Sequence, residues 1–441
     1  MTALFGTDGV RGRANEHVTA ELALSLARAA AARLVPQGGR VIIGRDTRLS
    51  GPMLEGAMAA GFASAGVDVL LAGIIPTPAI SFLIKDERAD LGAVISASHN
   101  EPEDNGIKFF DRKGMKLTVE AEDAIERALA DLAPRARSVG SISPLQAAGT
   151  RYAAFLTGTI ETDDIDLSDL TVIVDCAYGA TGAIAPHVLR HFNAHVIEMH
   201  CTPDGDRINR ECGSTHLQAL RDAVLTQHAD LGIAFDGDGD RVLLISPCGE
   251  TIDGDRMMGI AALHMKAKGT LNPAIVVATV MSNMGLEHAL AESGIEMLRT
   301  PVGDRHVAQA MLVHGAHLGG EQSGHIIFSD HSPTGDGILT AIKLLEISHE
   351  RGAPLHNLAE EIPLYPQARA DVAVAEPAAL ITDPRVVSAI KQAKERLGTE
   401  GRLLVRPSGT QPVVRVLVEA MDETLCNGVC ELIASEIEGV R

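Results

Sequence analysis

The sequence predicts an α/β protein of three similar α/β domains followed by a smaller α+β C-terminal domain. A lead of the form Ala-x-Leu-Gly occurs three times, in ADLGAVISASHN from Ala89, ADLGIAFDGDGD from Ala229 and AHLGGEQSGH from Ala316. Each lead has the apolar character of a strand and runs directly into a polar loop. Self-similarity of this kind indicates three copies of one structural unit.

A second apolar strand is predicted upstream of each lead. These strands begin the segments VIIGRDTRLSG at Val41, TVIVDCAYGATG at Thr171 and AIVVATVMSNMG at Ala274. Ala- and Leu-rich helical stretches alternate with the strands, which is typical of α/β domains. Because ligand groups in open α/β sheets lie beyond the carboxyl ends of the strands, we expect the three polar loops to face one central cleft.

The pattern changes from about Ala368 onward. This part contains a predicted helix from Pro384 to Leu397, a strand, the loop RPSGTQP, and a further strand and helix. A chain of 441 residues exceeds the size of one ordinary core. The predicted domains are therefore α/β domains over 1–148, 149–250 and 251–366, and an α+β domain over 367–441.

Charge and composition exclude several classes of partner. The formal net charge is −20, which argues against a nucleic-acid surface and against binding to anionic membranes. Aromatic residues make up 3% of the chain and Trp is absent, so stacking platforms for single-stranded nucleic acid are lacking. The cysteines include no Cys-x-x-Cys pair, and the N-terminal segment MTALFGTDGVRG has no signal-peptide pattern. We expect a cytoplasmic location.

The segment DGDGDR, from Asp236 to Arg241, predicts a metal site. Asp236, Asp238 and Asp240 stand two residues apart, so in extended backbone their carboxylates point the same way. Three converging carboxylates repel one another unless a cation neutralises them. Oxygen ligands select Mg²⁺ or Ca²⁺ rather than zinc. The spacing is not that of an EF-hand, because the sixth position holds Arg241 rather than Gly.

The segment ISASHNEPEDNGIKFF, from Ile95 to Phe110, presents a serine at the end of a buried strand. Ser98 is followed by His99, and Lys108 lies on the next predicted strand. A Ser-His pair by itself indicates either a reactive hydroxyl or a turn with ordinary capping roles. The repeat places this loop beside the triple-aspartate loop, and that placement favours a reactive hydroxyl.

Two further loops carry groups suited to binding hydroxyls and phosphate. GGEQSGH, from Gly319, places Glu321, Ser323 and His325 on one face, which suits hydroxyl recognition and describes a solvated turn almost as well. RPSGTQPVVRV, from Arg406, offers hydroxyls and backbone N–H groups together with two arginines. That combination binds a phosphate monoester, and a tight turn with incidental arginines is the alternative.

Taken in order, the four loops resemble those of the α-D-phosphohexomutase family, and the resemblance covers essentially the whole chain. SASHN…NGIK is similar to the family's phosphoserine loop, DGDGDR to its metal loop, GEQSGH to its sugar loop and RPSGTQP to its phosphate loop. The resemblance implies four domains around one central cleft, three alike with mixed sheets and a smaller fourth. The chain departs from the family pattern at Pro102, which stands one position later than usual, and at His306, where Tyr is usual.

Residue by residue, the resemblance makes Ser98 the phosphorylated residue. An oxygen of its phosphate would join the three aspartates, so the implied Mg²⁺ ligands are Ser98, Asp236, Asp238 and Asp240. Proton transfer is implied at His99 and Lys108. The positions that match substrate contacts are Arg241, Glu321, Ser323, His325, Arg406, Ser408, Gly409, Thr410 and Arg415.

The resemblance implies a phosphosugar mutase. Gln322 and the segments FGTDGVRG, CGSTH and VGDRHV are similar to family members that act on glucosamine phosphates. The expected reaction interconverts glucosamine 6-phosphate and glucosamine 1-phosphate through a bound 1,6-bisphosphate, and it would supply amino-sugar nucleotide for cell-wall synthesis. The expected cofactors are Mg²⁺, phosphorylated Ser98, and glucosamine or glucose 1,6-bisphosphate as activator. The expected partners are small hexosamine phosphates, and a homodimer is compatible with the resemblance.

Three alternative functions share these residues. A phosphoglucomutase or phosphomannomutase would use the same machinery on another hexose. A serine-dependent sugar phosphatase would pass the phosphoryl group from Ser98 to water. A sugar-phosphate sensor without turnover is motivated only by the displaced Pro102.

Overall fold

The computed structural model describes residues 4–6, 8–130, 138–162, 165–408 and 412–440. The chain divides into two compact units. The first runs as far as Met281 and resumes over Gly294–Glu361, and the second comprises Ser282–Ser293 and the chain from Ile362 onward. No helix among these described residues has the length and apolar character that crossing a membrane requires.

The first sheet occupies the N-terminal third of the chain. Its strands are β1 (Val10–Arg13), β2 (Gly39–Arg45), β3 (Val67–Ile74), β4 (Leu91–Ile95), β5 (Asp104–Asp111) and β6 (Ile142–Pro144). Its helices are α1 (Ala20–Leu34), α2 (Gly51–Ser64), α3 (Thr77–Asp86) and α4 (Val119–Ala130). The strand order is β1-β5-β4-β2-β3-β6, with β2, β3, β4 and β6 parallel and β5 antiparallel to β4.

The apolar pattern of the sequence explains how this sheet is covered. All five residues of β4 are buried, as expected for a central strand with both faces covered. The alanine-rich helix α1 is capped by Thr19, whose hydroxyl accepts a hydrogen bond from the N–H of Leu22 at 3.2 Å. Its small side chains, such as Ala27, belong to the same buried cluster as Ile43 and Ile95 of the sheet. The carboxyl end of β4 is thereby fixed in a rigid layer.

The second sheet repeats this arrangement. Its strands are β7 (Thr171–Asp175), β8 (His195–Met199), β9 (Leu231–Phe235), β10 (Val242–Ile245) and β11 (Thr251–Ile252). Its helices are α5 (Ala148–Thr157), α6 (Ala185–His191) and α7 (Gln218–Gln227), with a 3₁₀ turn at Gly213–Thr215. The strand order is β11-β10-β9-β7-β8, with β7 parallel to β8 and β9, and β10 antiparallel to β9.

The third sheet follows the same plan with four strands. They are β12 (Ile275–Thr279), β13 (Glu296–Thr300), β14 (Leu318–Gly320) and β15 (Ile326–Phe328), in the order β13-β12-β14-β15. The helices are α8 (Gly254–Lys268), α9 (Met284–Glu292), α10 (Asp304–His314), α11 (Gly337–Arg351) and α12 (Leu355–Ala359). Of these, α9 belongs to the second compact unit. Strand β12 is parallel to β13 and β14, and β15 is antiparallel to β14.

The three Ala-x-Leu-Gly leads occupy equivalent places in these sheets. They precede or begin β4, β9 and β14, each of which lies beside a parallel partner predicted from the upstream segment, namely β2, β7 and β12. Each lead strand then passes through its polar loop into an antiparallel strand, β5, β10 or β15. The predicted α/β class with three similar mixed-sheet domains is confirmed.

The second unit contains a smaller antiparallel sheet. Its strands are β16 (Gln367–Ala373), β17 (Gly401–Pro407) and β18 (Val413–Ala420), in the order β16-β18-β17. Its further helices are α13 (Pro377–Leu380), α14 (Pro384–Leu397) and α15 (Glu423–Gly439). Helix α14 has the predicted bounds, and its buried residues Val386, Ala393 and Leu397 recur at helical spacing against the sheet. The predicted α+β character of this region is confirmed.

Candidate active site

Ser98 lies in the loop that joins β4 to β5, where its side chain is buried. Its backbone is left-handed, with φ of 54°. A non-glycine residue in this conformation is held by its surroundings. Its Oγ donates a hydrogen bond of 2.6 Å to Oδ2 of Asp236 and lies 3.2 Å from Nδ1 of His99. The serine and the first aspartate of DGDGDR, which are 138 residues apart in sequence, are therefore in direct contact.

Arg48, a fully buried arginine, fixes the shape of this loop. Its guanidinium pairs with Asp46 at 2.9 Å and donates to the carbonyl oxygens of Ser98 at 3.1 Å and Asn100 at 2.7 Å. The same guanidinium also donates to the carbonyl oxygens of Glu101 and Asp104. The four bonds from Arg48 to this loop all use backbone carbonyl groups as acceptors. The displaced Pro102 therefore removes none of these acceptors. Nothing in the sequence motif marked Arg48 for this role.

Replacing Arg48 by Met is expected to lower stability by about 3–5 kcal/mol, because it leaves the buried Asp46 without its counter-charge. Burial raises the pKa of Asp46 even beside the arginine. The measurement is the urea midpoint of unfolding, together with amide hydrogen exchange over residues 96–106. The matched control is Arg13→Met, since Arg13 and Glu16 form a pair whose side chains are 56% and 62% exposed, and it should cost less than about 1 kcal/mol. Equal effects of both substitutions would contradict this role.

The three aspartates of DGDGDR converge in a buried group after β9. Candidate ligand atoms from Asp236, Asp238 and Asp240 all lie within 4.8 Å of one another. The loop is a turn, with Gly239 at φ of 70°. The expectation that extended backbone brings the carboxylates together is therefore wrong, and the turn brings them together instead. Gly237 allows close approach of the phosphoserine loop, because a Cβ there would lie 2.8 Å from the carbonyl oxygen of Ser98.

This aspartate group fits a hard divalent cation. The Oδ1 atoms of Asp238 and Asp240 are buried and have no hydrogen-bond partner among the described residues, which is costly unless a cation is bound. Burial, and then the charges of Asp240 and Asp238, raise the pKa of Asp236 well above its usual range. Oxygen donors held this closely match the preference of Mg²⁺ for carboxylate ligands.

Lys108, on β5, donates to Oδ2 of Asp238 at 3.1 Å and to Asp8 at 2.9 Å. Burial disfavours its charge, but Asp238 and Asp8 outweigh that cost and raise its pKa. The pKa of His99 is shifted in the opposite direction. Burial, and then the charges of Arg241 and Arg11, lower the pKa of His99 to about 4. The site therefore holds a charged ammonium and a neutral imidazole near neutral pH.

Three charged residues that were not assigned roles from the sequence extend this network. Asp8 pairs with both Lys108 and Lys116, and Lys116 in turn pairs with Asp304. Asp304 lies 3.9 Å from Nε2 of His325. Asp8 and Asp304 lie in the motifs FGTDGVRG and VGDRHV, so these motifs could have identified them as site residues. Lys116 stood in no motif.

The sugar-loop residues occupy two different environments. The carboxylate of Glu321 accepts from the N–H of Gly303 at 3.0 Å and from the hydroxyl of Ser323 at 3.4 Å. His325 instead faces the aspartate group, with Nδ1 3.7 Å from Oδ2 of Asp240. Burial opposes its charge, but Asp240 raises the pKa of His325 overall. Arg241, also predicted to contact substrate, has Nε 3.9 Å from Oδ1 of Asp240.

The predicted phosphate-loop residues lie in the second compact unit. Arg406 on β17 and Arg415 on β18 are directly opposite each other across the two strands. The N–H of Ser408 donates to the carbonyl of Val413 at 2.9 Å and so closes the start of the loop. The remaining two predicted residues, Gly409 and Thr410, lie outside the described residues. The arginines of this hairpin thus share one end of a rigid antiparallel pair.

Four domain families match the chain in succession. They are the phosphoglucomutase/phosphomannomutase α/β/α domain I over residues 2–135, domain II over 150–249, domain III over 253–365, and the C-terminal domain over 370–436. Among curated relatives, a phosphoglucosamine mutase of Desulforudis audaxviator is 48% identical and aligns with 98% of this chain and 97% of its own length. One of Desulforamulus reducens is also 48% identical, with both chains covered completely.

Solved structures of the same fold cover the whole chain. A phosphoglucomutase/phosphomannomutase family protein of Burkholderia thailandensis has a TM-score of 0.84 at 26% identity, covering 100% of this chain and 98% of its own. An N-acetylphosphoglucosamine mutase of Aspergillus fumigatus, solved with GlcNAc-6P and magnesium, has a TM-score of 0.68 at 16% identity, covering 99% of this chain and 95% of its own. The family resemblance predicted from the four loops is confirmed, and the chain belongs to the phosphoglucomutase/phosphomannomutase family.

Proposed function

We propose that this chain is a hexosamine phosphate mutase that interconverts glucosamine 6-phosphate and glucosamine 1-phosphate through Ser98. The observation that carries the proposal is the 2.6 Å contact between Oγ of Ser98 and Asp236 of the buried aspartate group. It joins a reactive hydroxyl to carboxylates suited to a divalent cation. The full-length relatives at 48% identity, which are phosphoglucosamine mutases, support the amino-sugar substrate.

The proposed Mg²⁺ site consists of Asp236, Asp238, Asp240 and a phosphate oxygen on Ser98. A bound Mg²⁺ would withdraw charge from the phosphoryl oxygens and favour transfer. The chain's own residues position that phosphate. The left-handed conformation of Ser98 and the bonds from Arg48 to its loop direct Oγ toward the carboxylates. Preorganised geometry of this kind supplies much of the rate enhancement in phosphoryl transfer.

In the proposed reaction, the bond between phosphorus and Oγ of Ser98 breaks as a bond forms to the sugar hydroxyl oxygen. The proton of that hydroxyl moves to His99, which is neutral and 3.2 Å from Oγ, and the ammonium of Lys108 supplies the proton that Oγ takes up as it leaves. Lys108 is the second proton-transfer group, and its ammonium also balances charge beside Asp238. The bound 1,6-bisphosphate then reorients in the site, and its other phosphate is transferred to Ser98.

The proposed substrate contacts fall into two sets. Glu321, Ser323, His325 and Arg241 would contact the sugar and the reacting phosphate, and the remaining contacts would hold the distal phosphate through Arg406, Ser408, Gly409, Thr410 and Arg415. Glucosamine or glucose 1,6-bisphosphate would restore the phosphate on Ser98. We further propose the domain boundaries 1–148, 149–250, 251–366 and 367–441, a cytoplasmic location and a role in cell-wall precursor supply.

Comparison of kcat/KM for glucosamine, glucose and mannose 6-phosphates tests the substrate. The glucosamine phosphate is expected to be preferred by at least about tenfold, because a site that pairs with an amino group leaves polar atoms unpaired when another hexose binds. Release of inorganic phosphate is measured in the same assays and is expected to be negligible. Preference for glucose or mannose phosphate would contradict the amino-sugar assignment. Phosphate release that does not depend on bisphosphate would instead indicate a phosphatase.

A further inference from the structure

A second group of metal-binding side chains lies in the second sheet, apart from the aspartate group. Asp175 ends β7, His200 follows β8, and Cys212 precedes the 3₁₀ turn at Gly213–Thr215. One candidate ligand atom from each of these three residues lies within 4.8 Å of the other two. The aspartate and the cysteine are buried, whereas the His200 side chain is 22% exposed. The group is therefore enclosed on most sides and open to solvent at the histidine.

The carboxylate of Asp175 is already oriented by the backbone. Its Oδ1 accepts from the N–H of Ala177 at 2.9 Å, and its Oδ2 accepts from the N–H of Gly213 at 2.9 Å. Each carboxylate oxygen can accept a second interaction, so both remain able to bind an ion. Hydrogen bonds of this kind are what orient ligands in protein metal sites.

The imidazole of His200 presents its Nδ1 to this carboxylate. Its Nδ1 lies 3.1 Å from Oδ1 of Asp175, yet this buried atom has no hydrogen-bond partner among the described residues. The ring packs against Tyr178, with 4.7 Å between the ring centroids. The backbone of His200 is left-handed, with φ of 51°. The fold therefore directs a nitrogen donor toward the aspartate without a hydrogen bond to it among the described residues.

One oxygen, one nitrogen and one sulfur donor form the ligand set of a borderline-soft ion. We propose that Asp175, His200 and Cys212 bind Zn²⁺, with water completing the coordination from the exposed side of the histidine. Zinc holds such donors at about 2.0–2.3 Å and therefore roughly 3.5 Å from one another. Nδ1 of His200 and Oδ1 of Asp175 are already 3.1 Å apart, and the candidate atoms of all three residues lie within 4.8 Å of one another. The sulfur and nitrogen donors exclude Mg²⁺ as the preferred ion.

An ion at this position would act on the phosphoserine loop through Asn209. This residue lies three positions before Cys212, and its side chain donates to the carbonyl oxygens of Ser98 at 2.8 Å and Asn100 at 2.9 Å. Its own N–H donates to the carbonyl of Ala177 at 3.1 Å. Coordination by Cys212 would therefore fix the segment that supports the reactive serine. The site is separate from the proposed Mg²⁺ ligands.

Titration of the full chain with Co²⁺ in excess Mg²⁺ tests the proposal. Cobalt replaces zinc at sites with sulfur donors and gives a thiolate-to-metal charge-transfer absorption. We expect this band to saturate at one equivalent and to disappear on addition of Zn²⁺. Cys212→Ser should abolish it, and His200→Gln should weaken Co²⁺ affinity at least about tenfold. If Cys212→Ser does not fold, the Co²⁺ affinity of His200→Gln decides the result, because this histidine is partly exposed.

Two controls separate this site from other metal binding. Cys248→Ser changes an exposed cysteine outside the group and should leave the band unchanged. Asp236→Asn changes the proposed Mg²⁺ site and should also leave it unchanged, so failure of the proposed mutase function would not affect this test. A wild-type chain without the band would overturn the zinc proposal. A band that survives both Cys212→Ser and His200→Gln would overturn it as well.

Discussion

Ser98→Ala is expected to lower kcat by roughly 10⁴-fold or more, because removal of a nucleophile eliminates the covalent route rather than weakening it. Among the described residues, Oγ of Ser98 is the hydroxyl that contacts both Asp236 and His99. Water cannot replace it, since the enzyme must hold the phosphoryl group between the departure of one product and the binding of the next sugar phosphate. The measurement is mutase turnover with glucosamine 6-phosphate and added glucose 1,6-bisphosphate.

Intact-protein mass spectrometry accompanies the kinetics of this variant. The wild-type chain should carry a single phosphate, and Ser98→Ala should carry none. The matched control is Ser64→Ala on α2, whose hydroxyl donates to the carbonyl of Gly61 at 2.8 Å; it should keep both the phosphate and the activity. Turnover within tenfold of wild type in Ser98→Ala would end the phosphoserine assignment.

Asp238→Asn is expected to weaken Mg²⁺ binding by at least about 100-fold. Loss of residues that merely support a metal ligand already costs 10–100-fold in affinity, and here a charged ligand itself is lost. The Oδ1 atom of Asp238 is buried without a hydrogen-bond partner among the described residues, so its free lone pairs are available to the ion. The measurement is the Mg²⁺ dependence of kcat, together with direct Mn²⁺ binding followed by electron paramagnetic resonance.

Asp230→Asn provides the control for this substitution. Asp230 immediately precedes β9, at the opposite end of the strand from the aspartate group, and its Oδ2 accepts from the N–H of Thr171 at 2.8 Å. The Mg²⁺ titration of this variant should match wild type. An unchanged titration in Asp238→Asn, with the fold intact, would contradict the metal assignment.

The sequence alone predicted the parts of the structure that follow from local periodicity. The Ala-x-Leu-Gly leads were sufficient to locate β4, β9 and β14 and to infer that their loops meet, because equivalent strands of repeated α/β units end on equivalent sides. The contact between Ser98 and Asp236 bears out that inference for the first two loops, and the 3.7 Å approach of His325 to Asp240 does so for the third. The turn that brings the aspartates together was not predicted, because alternation in sequence does not reveal the left-handed conformation of Gly239.

The residues that support the site could not be found from local patterns. Lys116 reaches Asp8 across 108 positions and Asp304 across 188, so its role exists only in the folded chain. The role of Arg48 was also hidden, because it binds four backbone carbonyl oxygens. Every residue has a backbone carbonyl, so no residue type marks these partners in the sequence. The sequence does not distinguish a buried arginine from an exposed one, because burial is decided by tertiary packing.

Electron–nuclear double resonance on the phosphorylated chain loaded with Mn²⁺ tests the central claim most directly. A serine phosphate and the aspartate group that share one ion should give a strong ³¹P coupling to bound Mn²⁺, and Asp238→Asn should remove it. If Ser98 carries its phosphate and Mn²⁺ is bound, yet no ³¹P coupling is detected, then the serine and the carboxylates do not act on a common ion.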